Sequence, residues 1–136
     1  MLSAQQVQDI IRQGVPQADD IDLRVEELSE QHSLTRVPFN NRLIRPGGTL
    51  SGPTLMALAD AAMFALILGK LGQAEMAVTS NLNINFLSKP QPVDLMAKAK
   101  TSRMTRRQAV CEVALYSEGT EDQLVAHVTG TYALPL

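Results

Sequence analysis

The stretch from Ser51 to Gly69, SGPTLMALADAAMFALILG, constrains the fold of this chain more than any other segment. Pro53 suits the first position of a helix, where the N–H that proline lacks would have no acceptor. The Ala, Leu and Met residues that follow favour helix, and Gly69 and Gly72 are candidate stops. Apolar residues lie on every face of this helix rather than in one stripe. The segment therefore predicts a helix that the rest of the chain surrounds.

Asp60 is the single ionisable residue between Pro53 and Gly69. A carboxylate inside an apolar shell is costly unless it is paired or neutralised. Such groups are enriched at active sites, which makes Asp60 a candidate catalytic residue. The alternative is a structural aspartate that is bonded to a neighbouring backbone or hydroxyl group, and the sequence leaves both interpretations open.

Composition narrows the classes of protein that this chain can belong to. A chain of 136 residues is expected to form one domain. Its formal net charge of −2 argues against non-specific binding to nucleic acid. Its one cysteine, Cys111, fits a reducing compartment. His32 and His127 have no partners at metal-ligand spacing. No signal peptide is recognisable, and the apolar helix is predicted to be core. We therefore expect a cytoplasmic protein without a metal site that binds neither nucleic acid nor a membrane.

The remaining segments predict one further helix and six strands. The helix is expected over residues 3–13, and a loop over residues 40–52. The strands are expected over residues 21–29, 33–39, 77–87, 93–104, 107–117 and 123–134. The last four strands are separated by short turns, which favours an antiparallel meander. The prediction is an α+β fold in which a curved antiparallel sheet wraps around one long central helix.

Four motifs carry a resemblance to a known family. They are Gly48-Thr49-Leu50-Ser51-Gly52-Pro53, Leu58-Ala59-Asp60, Asn83-Ile84-Asn85-Phe86-Leu87-Ser88-Lys89-Pro90, and Val125-Ala126-His127-Val128-Thr129-Gly130-Thr131. Together they resemble the hotdog-fold acyl-CoA thioesterases of the phenylacetate-degradation type. The resemblance implies a single hotdog domain over residues 1–136, with a helical extension at 1–19 and the core at about 20–134. It also implies hydrolysis of a thioester to a free acid and coenzyme A, which enters only as part of the substrate. No other cofactor is implied.

The family's functional residues carry over onto three positions. Asp60 would be the general base or the nucleophile. Gly52 would offer its N–H, at the start of the helix, to the developing oxyanion, and Thr79 would position the water. The sites of the family lie between protomers, so a homodimer or homotetramer is expected.

Other positions depart from the family pattern, which indicates a divergent subgroup. Ser51 stands in place of the family histidine, and Arg45 in place of the family asparagine, although Asn41 lies just upstream. Pro53 replaces the second glycine of the motif. We interpret Ser51, Arg45 and Asn41 as substrate-binding candidates.

Two further groups of residues are candidates for substrate binding. Lys89, Arg106 and Arg107, with Arg103 nearby, would suit the phosphates of coenzyme A; the alternative is ordinary turn charges. Met56 and Phe64 would line an acyl pocket, and the alternative is core packing.

Two other functions remain open at this point. The first is a non-catalytic acyl-CoA or acyl-carrier binding protein in which Asp60 pairs with Arg45. The second is a hotdog dehydratase or hydratase, which ranks lower because that chemistry usually needs a histidine and none lies near Asp60 in the sequence.

Overall fold

The computed structural model of the chain describes residues 1–135, and within them it contains three α-helices and six strands. The helices are α1 (Ala4–Gly14), α2 (Pro16–Asp20) and α3 (Gly52–Leu71), and a short 3₁₀ turn spans Asn41–Leu43. The strands are β1 (Arg24–Leu28), β2 (His32–Val37), β3 (Val78–Phe86), β4 (Leu95–Met104), β5 (Gln108–Ser117) and β6 (Leu124–Ala133). The order of elements matches the α+β prediction, with α2 added after the first helix.

All six strands form one antiparallel sheet in the order β1-β2-β4-β5-β6-β3. The predicted meander of four strands is wrong in one respect, because only β4, β5 and β6 follow one another. Strand β3 pairs with β6, with Phe86 opposite Ala126, and β2 occupies the place beside β4. The segment between β3 and β4 is long enough to cross the sheet rather than turn back, so β3 becomes an edge strand.

Helix α3 is covered from two sides, which explains why it is apolar all round. Eleven of its twenty residues are buried, mostly against the inner face of the sheet. Helix α1 packs on it through Val7 and Ile11, and the Leu2 N–H donates to the Gly69 carbonyl at 3.2 Å. By length and composition α3 resembles a membrane span, but 61% of its most apolar window is buried inside the structure. It is the core helix of this fold.

Strand β3 is more exposed than its alternating sequence would indicate. The sequence alternates apolar and asparagine residues, but β3 is exposed along most of its length, including Val78 (60%) and Phe86 (54%). Only Leu82 and Ile84 pack partly against the core. Its free edge is a row of backbone donors and acceptors that another strand can pair with.

Candidate active site

Two hydroxyl groups hold the carboxylate of Asp60 in the middle of α3. Thr79 Oγ1 donates to Asp60 Oδ1 at 2.7 Å, and the Tyr132 hydroxyl reaches the same oxygen at 2.5 Å. Thr79 lies on β3 and Tyr132 lies opposite it on β6. Asp60 Oδ2 has no hydrogen-bond partner within residues 1–135. The carboxylate is therefore fixed through one oxygen, and the other is available for chemistry.

Tyr132 is the site residue that sequence reasoning missed. Its hydroxyl also lies 3.1 Å from the Asp60 carbonyl oxygen, and its ring stacks on Phe64 with centroids 5.8 Å apart. Burial of the phenol and the negative charge of Asp60 raise the pKa of Tyr132 well above its usual range, so this hydroxyl stays protonated and donates. No local pattern marks Tyr132, because its role depends on the pairing of β3 with β6.

The Asp60 cleft, as we name it, is a cavity of about 450 Å³ between α3 and the N-terminal helices. Its walls are mostly apolar, and they include Ile11, Val15, Ala18, Ile21, Ala61 and Phe64. On the other side of Asp60, a shallower recess of about 340 Å³ is lined by Met56, Thr79 and Leu82. Met56 and Phe64 thus flank Asp60 one turn away in each direction along α3. Phe64 lines the Asp60 cleft, and Met56 lines the shallower recess.

The Gly52 cleft is a separate recess of about 300 Å³ at the start of α3. Ser51 is the N-cap residue of α3: its hydroxyl accepts from the Thr54 N–H at 3.4 Å and lies 3.0 Å from Thr54 Oγ1. Capping by Ser51 leaves Gly52 in the first turn, whose N–H groups have no acceptor within the helix. A side chain on Gly52 would meet only the ring of Phe86, at 3.7 Å. The Gly52 N–H is therefore a suitable donor to an anion.

Arg45 and Lys89 both lie in the Gly52 cleft. They converge on the turn at Gly47: a Cβ placed there would lie 3.3 Å from Arg45 Nη1 and 3.8 Å from Lys89 Nζ. Neither residue is a hydrogen-bond partner of Asp60 in the described chain. The Asp60–Arg45 pair, on which the binding-protein alternative depends, is thus not formed within this chain.

The other predicted cations lie elsewhere. Arg106 and Arg107 belong to the exposed turn between β4 and β5. This turn lies at the end of the sheet where β3 begins, since Gln108 and Val78 both pair with Ala133. Lys89 follows the other end of β3. Within one chain these three cations do not form a single patch. Asn41 is exposed on the 3₁₀ turn and does not line the Gly52 cleft.

Within one chain, Asp60 and Gly52 are also far apart. Eight residues separate them on α3, which corresponds to about 12 Å along the helix axis. No cluster of three or more His, Cys, Asp or Glu side chains suited to a metal occurs among residues 1–135. The chemistry of the described site is that of one carboxylate, two hydroxyl donors and a free helix N-terminus.

Comparison with known proteins agrees with this fold. A family model described as the thioesterase superfamily matches residues 47–123, more than half of the chain and an interval that contains Gly52, Asp60 and Thr79. The chain therefore belongs to the thioesterase superfamily.

Individual relatives extend the match over nearly the whole chain. A provisionally named esterase of Saccharolobus solfataricus is 26% identical over 135 residues, 98% of this chain and 87% of the relative. A crystal structure of a provisionally named thioesterase from Silicibacter sp. TM1040 is 32% identical, with a TM-score of 0.88 over 100% of this chain and 94% of that one. The PaaI protein from the phenylacetic acid degradation operon of E. coli shares the fold, with a TM-score of 0.83 at 17% identity over 98% and 94% of the two chains.

The predicted family and fold are confirmed by these matches. The chain is a thioester hydrolase with the hotdog fold and represents a divergent subgroup of it.

Proposed function

We propose that the protein hydrolyses an acyl-CoA to a carboxylic acid and coenzyme A, with Asp60 and Gly52 as its catalytic groups. The observation that carries this proposal is the oriented carboxylate. Thr79 and Tyr132 donate to Oδ1, which leaves Oδ2 free beside an apolar cleft. A fixed carboxylate next to a space for an acyl chain suits attack on a thioester.

With Asp60 as the general base, Oδ2 takes a proton from water while the water oxygen bonds to the thioester carbon. The negative charge moves to the carbonyl oxygen, where the Gly52 N–H and the positive end of the helix dipole stabilise it. Collapse of this intermediate breaks the carbon–sulfur bond, and the proton held by Asp60 passes to the departing thiolate. With Asp60 as the nucleophile, Oδ2 itself bonds to the carbon, the carbon–sulfur bond breaks, and coenzyme A leaves as a thiolate that takes a proton from solvent. Water then hydrolyses the mixed anhydride, which releases the acid and restores the Asp60 carboxylate.

A two-fold dimer would bring these groups together. Asp60 contacts Thr79 near the start of β3, whereas Gly52 packs against Phe86 at the end of β3. Antiparallel pairing of two β3 edges places the end of one strand beside the start of the other. Gly52 of one protomer would then approach Asp60 of the partner subunit, and two identical sites would form.

The free edge supports this arrangement. Strand β3 spans nine residues, and its flanks expose Met76 (80%), Phe86 (54%) and Leu87 (57%). Exposed apolar side chains along an unpaired strand are typical of an interface. We therefore propose a homodimer, or a homotetramer of two such dimers. In either, Arg106 and Arg107 remain candidates for the phosphates of coenzyme A.

Release of free thiol from short, long and aromatic acyl-CoA thioesters tests the proposal. The Asp60→Asn variant should lose about 10²-fold to 10⁴-fold in kcat/KM, since it keeps the shape of Asp60 but cannot take a proton. Asp122→Asn, in the exposed turn before β6, is the matched control and should retain full activity. Unchanged turnover in folded Asp60→Asn would remove Asp60 from the mechanism.

A further inference from the structure

Two cations share the Gly52 cleft without a counter-ion. The guanidinium of Arg45 and the ammonium of Lys89 lie within 4 Å of one point beside Gly47. Neither makes an ion pair within residues 1–135, and no acidic residue lines this cleft. Both side chains are exposed, and an anion placed between them would be attracted by both charges. The arrangement is that of an anion site.

A buried hydroxyl group at the same place is also without a partner. Thr49 lines the Gly52 cleft and is only 5% exposed, yet its Oγ1 has no hydrogen-bond partner within residues 1–135. The oxygen itself has almost no solvent-exposed surface, so it lies behind the wall of the cleft. The two cations are therefore the groups that face an anion in the cleft.

Backbone hydrogen bonds fix the turn that carries Arg45. The Arg45 N–H donates to the Thr49 carbonyl at 2.8 Å, and the Gly48 N–H donates to the Arg45 carbonyl at 3.0 Å. Gly47 and Gly48 have φ values of 109° and 84°, which only glycine adopts readily. This turn leads directly into α3, whose N-terminus adds further positive potential. The backbone of this turn therefore needs no reordering on binding.

The position of the site decides which anion fits. Gly52 lines the same small cleft, and its N–H is the proposed oxyanion donor. An anion bound to Arg45 and Lys89 therefore lies within one cleft width of the thioester carbonyl. The diphosphate of coenzyme A is separated from its sulfur by the whole pantetheine arm. A carboxylate a few carbons along the acyl chain lies within reach.

On the basis of the proposed function, we infer that the preferred substrate carries a second carboxylate, so that it is the monothioester of a dicarboxylic acid. Arg45 and Lys89 bind this carboxylate. The guanidinium of Arg45 can engage both carboxylate oxygens at once. The site selects the substrate by the charge of its acyl group.

Hydrolysis of matched glutaryl and valeryl thioesters tests this inference, since the two acyl chains have the same length and differ in one carboxylate. Each is supplied both as the coenzyme A thioester and as the N-acetylcysteamine thioester, which has no phosphate. We expect kcat/KM to favour glutaryl by about tenfold or more, the contribution of one charge-assisted contact. The preference should persist in the N-acetylcysteamine pair and weaken as ionic strength rises.

Four variants test which residues cause this preference. Arg45→Met and Lys89→Met keep side-chain length and remove the charge, so each should bring the glutaryl to valeryl ratio close to one. Lys89→Arg keeps the charge and should keep the ratio. Lys98→Met removes an exposed cation on β4 and should leave the ratio unchanged. A ratio that stays the same in both methionine variants would overturn the inference.

Failure of the inference is distinguishable from failure of the proposed function. Equal turnover of both acyl groups by the wild type would overturn the carboxylate site and leave the thioesterase standing. The Lys89→Met variant could also lower turnover of coenzyme A thioesters but not of N-acetylcysteamine thioesters. That result would assign Lys89 to a phosphate of coenzyme A and would also overturn the carboxylate site. If no thioester is hydrolysed, calorimetric titration with glutarate and valerate decides, and tighter binding of glutarate that is lost in Arg45→Met supports the site.

Discussion

Thr79 and Tyr132 stand directly opposite each other on β3 and β6, and both donate a hydroxyl hydrogen to the same carboxylate oxygen of Asp60. A helix residue is thus oriented by two strands at once. The pairing of β3 with β6 therefore sets the direction of the Asp60 carboxylate, and an error in strand register would displace it.

Removal of either hydroxyl should reduce turnover more than substrate binding. We expect Tyr132→Phe and Thr79→Val each to lower kcat by about tenfold to a hundredfold, because the carboxylate loses one of its two orienting bonds. KM should change little. Steady-state kinetics measure both parameters, and Tyr116→Phe, at the other buried tyrosine, is the matched control. Full kcat in Tyr132→Phe would show that this hydroxyl serves packing alone.

The proposed shared site makes a prediction about mixed subunits. Gly52→Pro removes the N–H at a helix position that tolerates proline, whereas Gly52→Ala keeps the N–H and meets only the Phe86 ring. We expect Gly52→Pro to be inactive and Gly52→Ala to be active. Reassociation of inactive Gly52→Pro with inactive Asp60→Asn should restore about one quarter of wild-type activity, since half of the dimers are mixed and each contains one intact site.

Two results would contradict that arrangement. A monomer by light scattering at micromolar concentration would exclude the shared site. So would the absence of restored activity in a mixture whose subunit exchange has been verified by mass spectrometry.

Cys111 should make stability depend on pH in the alkaline range. Its thiol is fully buried, and burial raises its pKa to about 11. The unfolded chain releases this proton near the ordinary cysteine pKa of about 8.5. The folded state therefore holds the proton more tightly, so this contribution to stability is complete below about pH 8.5 and is lost as pH rises towards 11.

Chemical denaturation of the wild type and of Cys111→Ala at a series of pH values measures this effect. The difference in their unfolding free energies should narrow between about pH 8.5 and 11. At pH 8 the native thiol should also react slowly with disulfide reagents. A difference that is constant with pH, or rapid labelling of the folded protein, would contradict the buried neutral thiol.

Sequence patterns were sufficient for the parts of the site that depend on local structure. The apolar stretch around Asp60 predicted a surrounded helix, and Ser51, Gly52 and Pro53 marked its start. Thr79 was identified through the family resemblance, and the structure places its hydroxyl on Asp60. In each case the signal lies within a few residues of the feature that it predicts.

Features that depend on strand order could not be predicted in this way. Short turns suggested a four-strand meander, but β3 pairs with β6, and Tyr132 gains its role from that long-range pairing. The convergence of Arg45 and Lys89 likewise joins two segments far apart in sequence. Neither contact produces a periodic pattern in the sequence, because each joins segments that are far apart along the chain.

The wall that faces Asp60 comes from a different part of the chain than the groups that do the chemistry. Ile11, Val15, Ala18 and Ile21 belong to the first 21 residues, which have their own capping box at Ser3 and ion pairs from Arg12 to Asp19 and Asp22. Asp60, Thr79 and Tyr132 are supplied later. Substitutions in this opening segment can therefore reshape the wall of the Asp60 cleft while Asp60, Thr79 and Tyr132 stay in place. If this cleft holds the acyl chain, as we propose, evolution can alter which acids are released without changing the groups that release them.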